Sequence, residues 1–188
     1  MKKILIIGSN SFAGSDFTDY LLSKNFKVYG VSRNKESDKE HLRYKENKHL
    51  KNFKFYKINI NLKKDINKLI QIVKKNKIYY IVNFAAQGMV AESWINPEDW
   101  YLTNVVSNSI LIKELSKLKI KKYLNFSTPE VYGNTPSLKK ESNTFMPTTP
   151  YAISRSAQDF NLMAYCKNYN FPVVFTRAVN IYVPYQQS

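Results

Sequence analysis

A tyrosine and an arginine four positions apart are the residues of this sequence that most directly suggest chemistry. Tyr151 and Arg155 lie in the stretch TTPYAISRSAQDF, at what looks like the first turn of a helix. Residues at i and i+4 share one helix face, so both side chains could point into one site. A fixed positive charge beside a phenol favours its ionised form, and the tyrosine could then act as a general base. The alternative is an ordinary pair on a helix surface.

A second group of residues could hold the phosphates of a cofactor. The segment ILIIGSNSFAGSDF joins the first predicted strand to the first predicted helix, and Gly8, Ser11 and Gly14 occupy a G-x-x-G-x-x-G spacing with serine in the middle. Backbone N–H groups of such a turn approach a pyrophosphate, and the helix N-terminus at Phe12 adds favourable partial charge. The serine weakens the motif but offers a hydroxyl. We predict dinucleotide binding here; the alternative is an ordinary tight turn.

The end of the second predicted strand bears on which dinucleotide would bind. Folds selective for NAD usually place an acidic side chain there for the ribose 2′-hydroxyl, whereas an arginine accommodates a 2′-phosphate. This chain has Ser32 and Arg33, which slightly favours NADP over NAD. The alternative is a solvated loop cation, since the chain contains 29 lysines and arginines.

Strands and helices must bring these residues together. Short apolar runs alternate with amphipathic segments of helical length, and the predicted strands are 3–8, 27–32, 53–60, 78–86, 121–127 and 172–178. The predicted helices are Phe12–Ser23, Lys63–Lys75, Pro97–Leu118 and Tyr151–Tyr169. This alternation predicts an α/β fold with a doubly wound parallel sheet, in one domain over 1–188. Ligands bind beyond the carboxyl ends of the strands in such sheets, where the loops 33–50 and 128–150 would lie.

The amino-acid composition of the chain limits the classes of function that it can have. The 44% hydrophobic content predicts a folded chain with a core. The net charge of +15 permits an anionic ligand, but the lysines are scattered and no basic run exceeds two residues, so nucleic-acid binding is disfavoured. Cys166 is the single cysteine, which fits a reducing compartment. No apolar run approaches the ~20 residues of a membrane span. We expect a cytoplasmic protein without a membrane partner, and no metal site is predicted.

Further motifs, in the same order along the chain, make a family visible. VNFAAQG ends the fourth predicted strand, TNV lies in the next helix, FSTPEVYG follows the fifth strand, and TPYAISRSAQDF and TRAVNIYVPYQ come after it. Together with the glycine turn, this order resembles the extended short-chain dehydrogenase/reductases that act on nucleotide sugars, an NAD(P)-binding Rossmann family of epimerases and dehydratases. The pattern is most similar to the 4,6-dehydratases of dTDP-glucose and GDP-mannose, over about residues 3–187.

The resemblance implies a mechanism. In the dehydratases a nicotinamide takes hydride from sugar C4 while the tyrosine takes the C4 hydroxyl proton, a carboxylate removes the C5 proton, water leaves from C6 and hydride returns to C6. By position, Tyr151 is the oxidation base, Thr128 the hydroxyl bonded to the C4 oxygen, and Glu130 the C5 base. A carboxylate shielded at the strand ends would have a raised pKa, which suits it to C–H abstraction. Without the surrounding motif, Glu130 would be read as an exposed loop residue.

The same resemblance assigns binding residues. Asn59 and Ile60 lie where the family contacts adenine, usually with an aspartate at the first position, and Ala85, Ala86 and Gln87 would line the cofactor. Tyr151 and Arg155 would also contact the cofactor. Asn104 would brace the active-site backbone, and Gln87, Thr128 and Asn180 would reach a nucleotide-sugar substrate. Family members commonly dimerise through two helices, for which Pro97–Leu118 and Tyr151–Tyr169 are the matching candidates, so a homodimer is expected.

Departures from the family pattern leave alternatives open. Arg155 stands where the family has lysine; an arginine keeps the charge but is effectively never deprotonated. Pro129 replaces an aspartate or serine and cannot protonate a leaving hydroxyl, and Val183 stands where glycine is common. The chain ends at Ser188, so most of the C-terminal substrate domain is expected to be absent. The alternatives are therefore an epimerase, reductase or decarboxylase of the same family, or a catalytically impaired NAD(P)-binding module.

Overall fold

Six parallel strands form the sheet at the centre of the molecule. The computed structural model describes residues 1–37, 41–134, 137–179 and 181. The strands are β1 (Lys3–Ile7), β2 (Lys27–Ser32), β3 (Phe53–Lys57), β4 (Tyr80–Asn83), β5 (Lys122–Ser127) and β6 (Val173–Arg177). Their spatial order is β3-β2-β1-β4-β5-β6, and every neighbouring pair is parallel. The predicted doubly wound α/β fold is confirmed, and the order reverses between β1 and β4, where such sheets bind ligands.

The helices are α1 (Phe12–Ser23), α2 (Lys63–Asn76), α3 (Pro97–Trp100), α4 (Asn108–Leu115) and α5 (Pro150–Tyr169). Two of them begin at side-chain caps: Ser11 accepts a hydrogen bond from the amide of Gly14, and Thr149 accepts one from the amide of Ala152. Among the described residues, no helix has the length and apolar composition needed to cross a membrane.

Several predicted boundaries were wrong. β3 ends at Lys57 rather than residue 60, because the amide of Asn59 bonds to Asp65 Oδ2 at 2.8 Å and the chain turns towards α2. β4 covers only Tyr80–Asn83 of the predicted 78–86. The single helix predicted over Pro97–Leu118 is instead α3, a π-helical segment at Tyr101–Ser107, and α4, which ends at Leu115.

The two faces of the sheet are covered unequally. Helices α2, α4 and α5 bury one face over a large apolar core that includes Leu5, Leu69 and Leu111. On the other face, α1 packs with a smaller core around Ile6 and Leu22. Beyond α1, this face carries a largely apolar groove of about 550 Å³ over β4, β5 and β6.

Candidate cofactor crevice and active site

The turn between β1 and α1 is built around one carbonyl group. Gly8 has φ +88°, which favours glycine, and its amide donates to the carbonyl of Val31 at 2.8 Å. The carbonyl oxygen of Gly8 accepts from the amide of Ser11 at 3.0 Å and from its hydroxyl at 2.7 Å. A Cβ added at Gly14 would collide with this same carbonyl oxygen. The Ser11 hydroxyl therefore closes the turn and caps α1, so the serine stabilises the turn at the position where the motif has glycine.

A crevice of about 230 Å³ opens beside this turn at the carboxyl ends of the first four strands. It brings together nine of the predicted cofactor residues: Gly8, Ser11, Ser32, Arg33, Asn59, Ile60, Ala85, Ala86 and Gln87. These residues come from four separate parts of the sequence, so the fold collects them where the sequence reasoning expected a dinucleotide. Among the described residues, no group of three or more His, Cys, Asp or Glu side chains could hold a metal ion.

Polar residues that the sequence reasoning missed also line the crevice. The amide of Asn10 donates to Ser32 Oγ at 2.9 Å, and its side chain donates to the carbonyl of Lys35 at 2.9 Å. Asn61 donates to Thr103 Oγ1 at 3.0 Å on the opposite side. The sequence could have indicated Asn10 as a crevice residue, because it lies inside the glycine turn. It could also have indicated Thr103, which directly precedes the motif residue Asn104.

Asn104 fixes the loop that follows β4. Its Oδ1 accepts from the amide of Gln87 at 2.8 Å, and its Nδ2 donates to the carbonyl of Gln87 at 3.0 Å and to Ser154 Oγ at 2.9 Å. The side chain is fully buried. Asn104 does not line the crevice, but its side chain holds the backbone of Gln87, which does.

Thr128 and Glu130 lie together just beyond the end of β5. Thr128 is buried, and its Oγ1 accepts from the amide of Glu130 at 3.3 Å, at the start of a short turn over Pro129–Tyr132. Helix α5 packs against this turn, and Tyr151 lies in the first turn of α5 with its amide donating to Ser93 Oγ at 3.2 Å. Burial raises the pKa of the Glu130 carboxyl above its usual range. The three predicted catalytic side chains therefore belong to elements in contact.

Arg155 is anchored in the body of the protein. Its side chain is buried between α5 and the sheet, and its guanidinium donates to the backbone carbonyl of Phe126 on β5. Its Nε has no hydrogen-bond partner among the described residues. Among the described residues, the hydrogen bond of the Arg155 side chain runs to the sheet and not to the phenol of Tyr151.

A buried polar network beneath the strand ends was not predicted. Asn83 Nδ2 donates to Asn108 Oδ1 and to Asn125 Oδ1, both at 3.2 Å. Asn125 in turn donates to Asp159 Oδ1 at 3.1 Å, and Ser127 Oγ donates to Asp159 Oδ2 at 2.7 Å. The desolvation of Asp159 raises its pKa, against the opposing effects of the Ser127 bond and the nearby arginines. The network ties β4 and β5 to α4 and α5.

The sequence of this chain matches the model of one protein family over nearly its whole length. The family model described as GDP-mannose 4,6 dehydratase matches residues 5–188. The chain belongs to the GDP-mannose 4,6-dehydratase family. The predicted resemblance is thereby confirmed over nearly the whole chain.

Members and structural neighbours of the GDP-mannose 4,6-dehydratase family agree with this assignment. A dTDP-D-glucose 4,6-dehydratase of Dictyostelium discoideum is 34% identical, over 99% of this chain and 45% of the relative. A crystal structure of dTDP-glucose 4,6-dehydratase from Streptomyces venezuelae with NAD bound superposes with TM-score 0.86 at 26% identity, over 98% of this chain and 57% of that one. A Thermotoga maritima UDP-glucose 4-epimerase with UDP-glucose has TM-score 0.80 at 26% identity, over 98% and 58%.

The chain spans about half the length of these relatives. Five predicted cofactor residues do not line the crevice. Phe12 begins α1 and Gly14 packs against the turn. Asn104, Tyr151 and Arg155 are the other three. The predicted substrate residue Asn180 and the substituted position Val183 lie outside the described residues.

Proposed function

We propose that this chain forms the dinucleotide-binding and catalytic part of an enzyme that modifies a nucleotide sugar. The reaction that we propose is 4,6-dehydration through a 4-keto intermediate. The observation that carries the proposal is the crevice of the glycine turn, which lies at the same edge of the sheet as Thr128, Glu130 and the first turn of α5. Family membership and the dehydratase relatives support it.

The proposed chemistry divides among three side chains. A bound nicotinamide would accept hydride from sugar C4 and later return it to C6. Tyr151 would take the C4 hydroxyl proton. The Thr128 oxygen already accepts the amide of Glu130, so its own hydroxyl proton remains to donate to the C4 oxygen. Glu130 would then remove the C5 proton, which a neighbouring ketone acidifies, and the raised pKa of its carboxyl suits this role.

Pro129 decides how the hydroxyl at C6 would leave. It has no side-chain proton to donate, so Glu130 would have to pass the proton that it took from C5 to the departing oxygen. An epimerase, reductase or decarboxylase of this family would need no such second transfer. Product analysis separates these reactions, since only dehydration yields a 4-keto-6-deoxy sugar.

The cofactor of the proposed enzyme is NADP or NAD. Neighbouring solved structures contain NAD. At the end of β2, however, the crevice is lined by Ser32, Arg33 and Asn34, and the next carboxylate along the chain, Glu36, accepts a hydrogen bond from Tyr44 at 2.9 Å. Among the described residues that line the crevice there is no carboxylate, and an exposed arginine there suits a 2′-phosphate, so we propose a slight preference for NADP.

Calorimetric titration with NAD and NADP tests the cofactor assignment. We expect both to bind. Arg33→Ala should weaken NADP binding by about ten- to hundredfold and leave NAD binding unchanged, because a lost charged hydrogen bond costs about 1.5–3 kcal/mol. An equal loss for both dinucleotides would contradict a 2′-phosphate contact. Incubation with nucleotide hexoses, with Tyr151→Phe as the inactive control, then tests the reaction itself.

One observation favours a second function, that of a dinucleotide-binding module without turnover. The guanidinium of Arg155 is committed to the carbonyl of Phe126, where the family has a lysine for the nicotinamide ribose. Tight dinucleotide binding without conversion of any nucleotide sugar would support the module. Conversion by the unaltered chain would exclude it.

We also propose a homodimer that forms through the predicted helices Pro97–Leu118, which comprises α3, the π-helical segment and α4, and Tyr151–Tyr169, which is α5. The π-helical segment exposes the apolar side chains of Leu102 and Val106, and α5 exposes that of Ile153. Apolar side chains along adjacent helices are typical of a protein interface. Light scattering should give twice the monomer mass, and Val106→Asp should halve it. The single thiol, at Cys166, fits the proposed cytoplasmic location.

A further inference from the structure

Arg177, at the end of β6, has no role in the chemistry above. It lies at the centre of a cluster of three aromatic rings and one buried carboxylate. Its guanidinium carbon lies 5.3 Å from the ring centroid of Tyr132, 5.1 Å from that of Phe145 and 5.5 Å from that of Phe175. Its side chain is only 15% exposed. A guanidinium against ring faces at these distances is attracted to each of them, more strongly when water is excluded.

One carboxylate orients the guanidinium. Arg177 donates from its terminal nitrogen to Asp159 Oδ2 at 3.3 Å, and Asp159 is fully buried on α5. Ser127 donates to the same oxygen at 2.7 Å. The arginine thus connects the end of β6 to α5 and, through Asp159, to the end of β5 directly before Thr128.

Two of the three rings around Arg177 belong to the two ends of the loop that carries Glu130, and the third, Phe175, lies on β6 beside Arg177. Tyr132 ends the short turn that starts after Thr128, and Phe145 lies on the returning segment. The two ends are joined by a hydrogen bond from the amide of Met146 to the carbonyl of Val131 at 3.0 Å. Tyr132 and Phe145 also meet edge to face at 5.7 Å between centroids.

We propose that Arg177 is a positioning residue for Glu130: it holds both ends of the loop after β5 through its aromatic contacts, and Asp159 holds Arg177. The inference rests on the proposed function only for its catalytic consequence. The positioning itself follows from contacts of the described residues. A planar cation is suited to this place because it stacks on several rings while it donates in its plane to a carboxylate.

Hydrogen exchange in the intact chain tests the positioning directly. The variant Arg177→Met keeps an unbranched side chain but removes the cation, and Arg177→Lys restores a cation. We expect at least tenfold faster amide exchange in segments 129–133 and 145–147 for Arg177→Met, partial recovery for Arg177→Lys, and unchanged exchange in α2. The matched control is Arg43→Met, because Arg43 makes ion pairs with Asp16 and Asp19 on the surface instead.

A second variant keeps the test decisive if Arg177→Met does not fold. Phe145→Leu removes one ring face but leaves Arg177 and Asp159 in place, and we expect the same local acceleration of exchange. Exchange in segments 129–133 and 145–147 that matches the Arg43→Met control, in every variant that folds, would overturn the proposal.

The catalytic consequence has its own measurement. With dinucleotide and nucleotide hexose present, Arg177→Met should slow deuterium incorporation at sugar C5 at least tenfold while the calorimetric dinucleotide affinity stays the same. Arg177→Lys should recover part of that rate. If the unaltered chain incorporates no deuterium, the proposed function fails while the exchange experiment still decides the positioning. Unchanged incorporation in an otherwise active Arg177→Met would show that Glu130 does not depend on the cluster.

Discussion

Replacing Gly14 by alanine disturbs the close approach of the first turn of α1 to the backbone carbonyl of Gly8. A Cβ at Gly14 would lie inside 3.0 Å of the carbonyl oxygen of Gly8 and 2.8 Å from Ser11 Oγ. The carbonyl cannot rotate away, because it accepts both the amide and the hydroxyl of Ser11. The first turn of α1 must therefore move away from β1.

The size of the effect follows from the contacts that are lost. Overpacking against backbone costs about 1–3 kcal/mol, and disturbing the bond from the Gly14 amide to Ser11 Oγ, a helix cap, costs about 1 kcal/mol. Alanine reduces the conformational freedom of the unfolded chain, which stabilises the folded state by about 0.4–1 kcal/mol. We expect a net loss of about 1–3.5 kcal/mol in unfolding free energy. For a chain of this size that lowers the melting temperature by about 2–14 °C.

Urea denaturation and calorimetric titration with NAD measure the two consequences. Displaced amides at the N-terminus of α1 should weaken dinucleotide binding by about tenfold or more. The matched control is Gly88→Ala, a glycine after the crevice residue Gln87 whose added Cβ would have no atom within 4 Å. We expect this control to bind normally and to be equally or slightly more stable. The reasoning is refuted if Gly14→Ala and Gly88→Ala behave alike in both assays.

Three further changes probe other parts of the site. In Arg155→Lys the shorter side chain loses the guanidinium bond to the carbonyl of Phe126, so urea denaturation should give an unfolding free energy lower by about 1.5–3 kcal/mol. An unchanged unfolding free energy would contradict the anchoring role of this bond. Glu130 must be ionised to act as the C5 base and burial raises its pKa, so turnover should begin to fall, as the pH decreases, at a higher pH than an ordinary glutamate would give; Glu130→Gln removes the base and should abolish dehydration at every pH. Asn104→Ala removes two bonds to the backbone of Gln87, so a loss of about 2–4 kcal/mol in stability and weaker calorimetric binding of NAD are expected; normal binding would exclude a brace.

The sequence was most informative where local pattern and chain order suffice. Alternating apolar strands and amphipathic helices predicted the doubly wound sheet, and parallel strands necessarily bring their carboxyl ends to one edge. Gly8 and Arg33 could therefore be assigned to one crevice without knowledge of any contact, and the family resemblance added Asn59 and Gln87. The family motifs added roles for Thr128, which no spacing rule would have given.

The sequence was least informative where a side chain has a choice of partners. Asn83 and Asn125 lie in strands but give no sign of the buried network that they form, because their bonds depend on the pairing of β4 with β5 and on α5. Arg155 satisfies the spacing of a catalytic pair, yet its length lets it reach the carbonyl of Phe126 instead. Such outcomes depend on distances between elements that are remote in the chain.

The π-helical segment at Tyr101–Ser107 makes this part of the chain sensitive to its residue count. Hydrogen bonds of a π-helix span five positions instead of the four of an α-helix, and the side chain of Asn108 also donates to the carbonyl of Thr103, at 2.8 Å. Deleting one residue there would allow ordinary α-helical winding, and the residues of the segment, Asn104 among them, would turn relative to α4. The two bonds from Asn104 to the backbone of Gln87 would then be strained or lost. Insertions and deletions should accordingly be far better tolerated in the exposed stretch 137–144 than within this single wide turn.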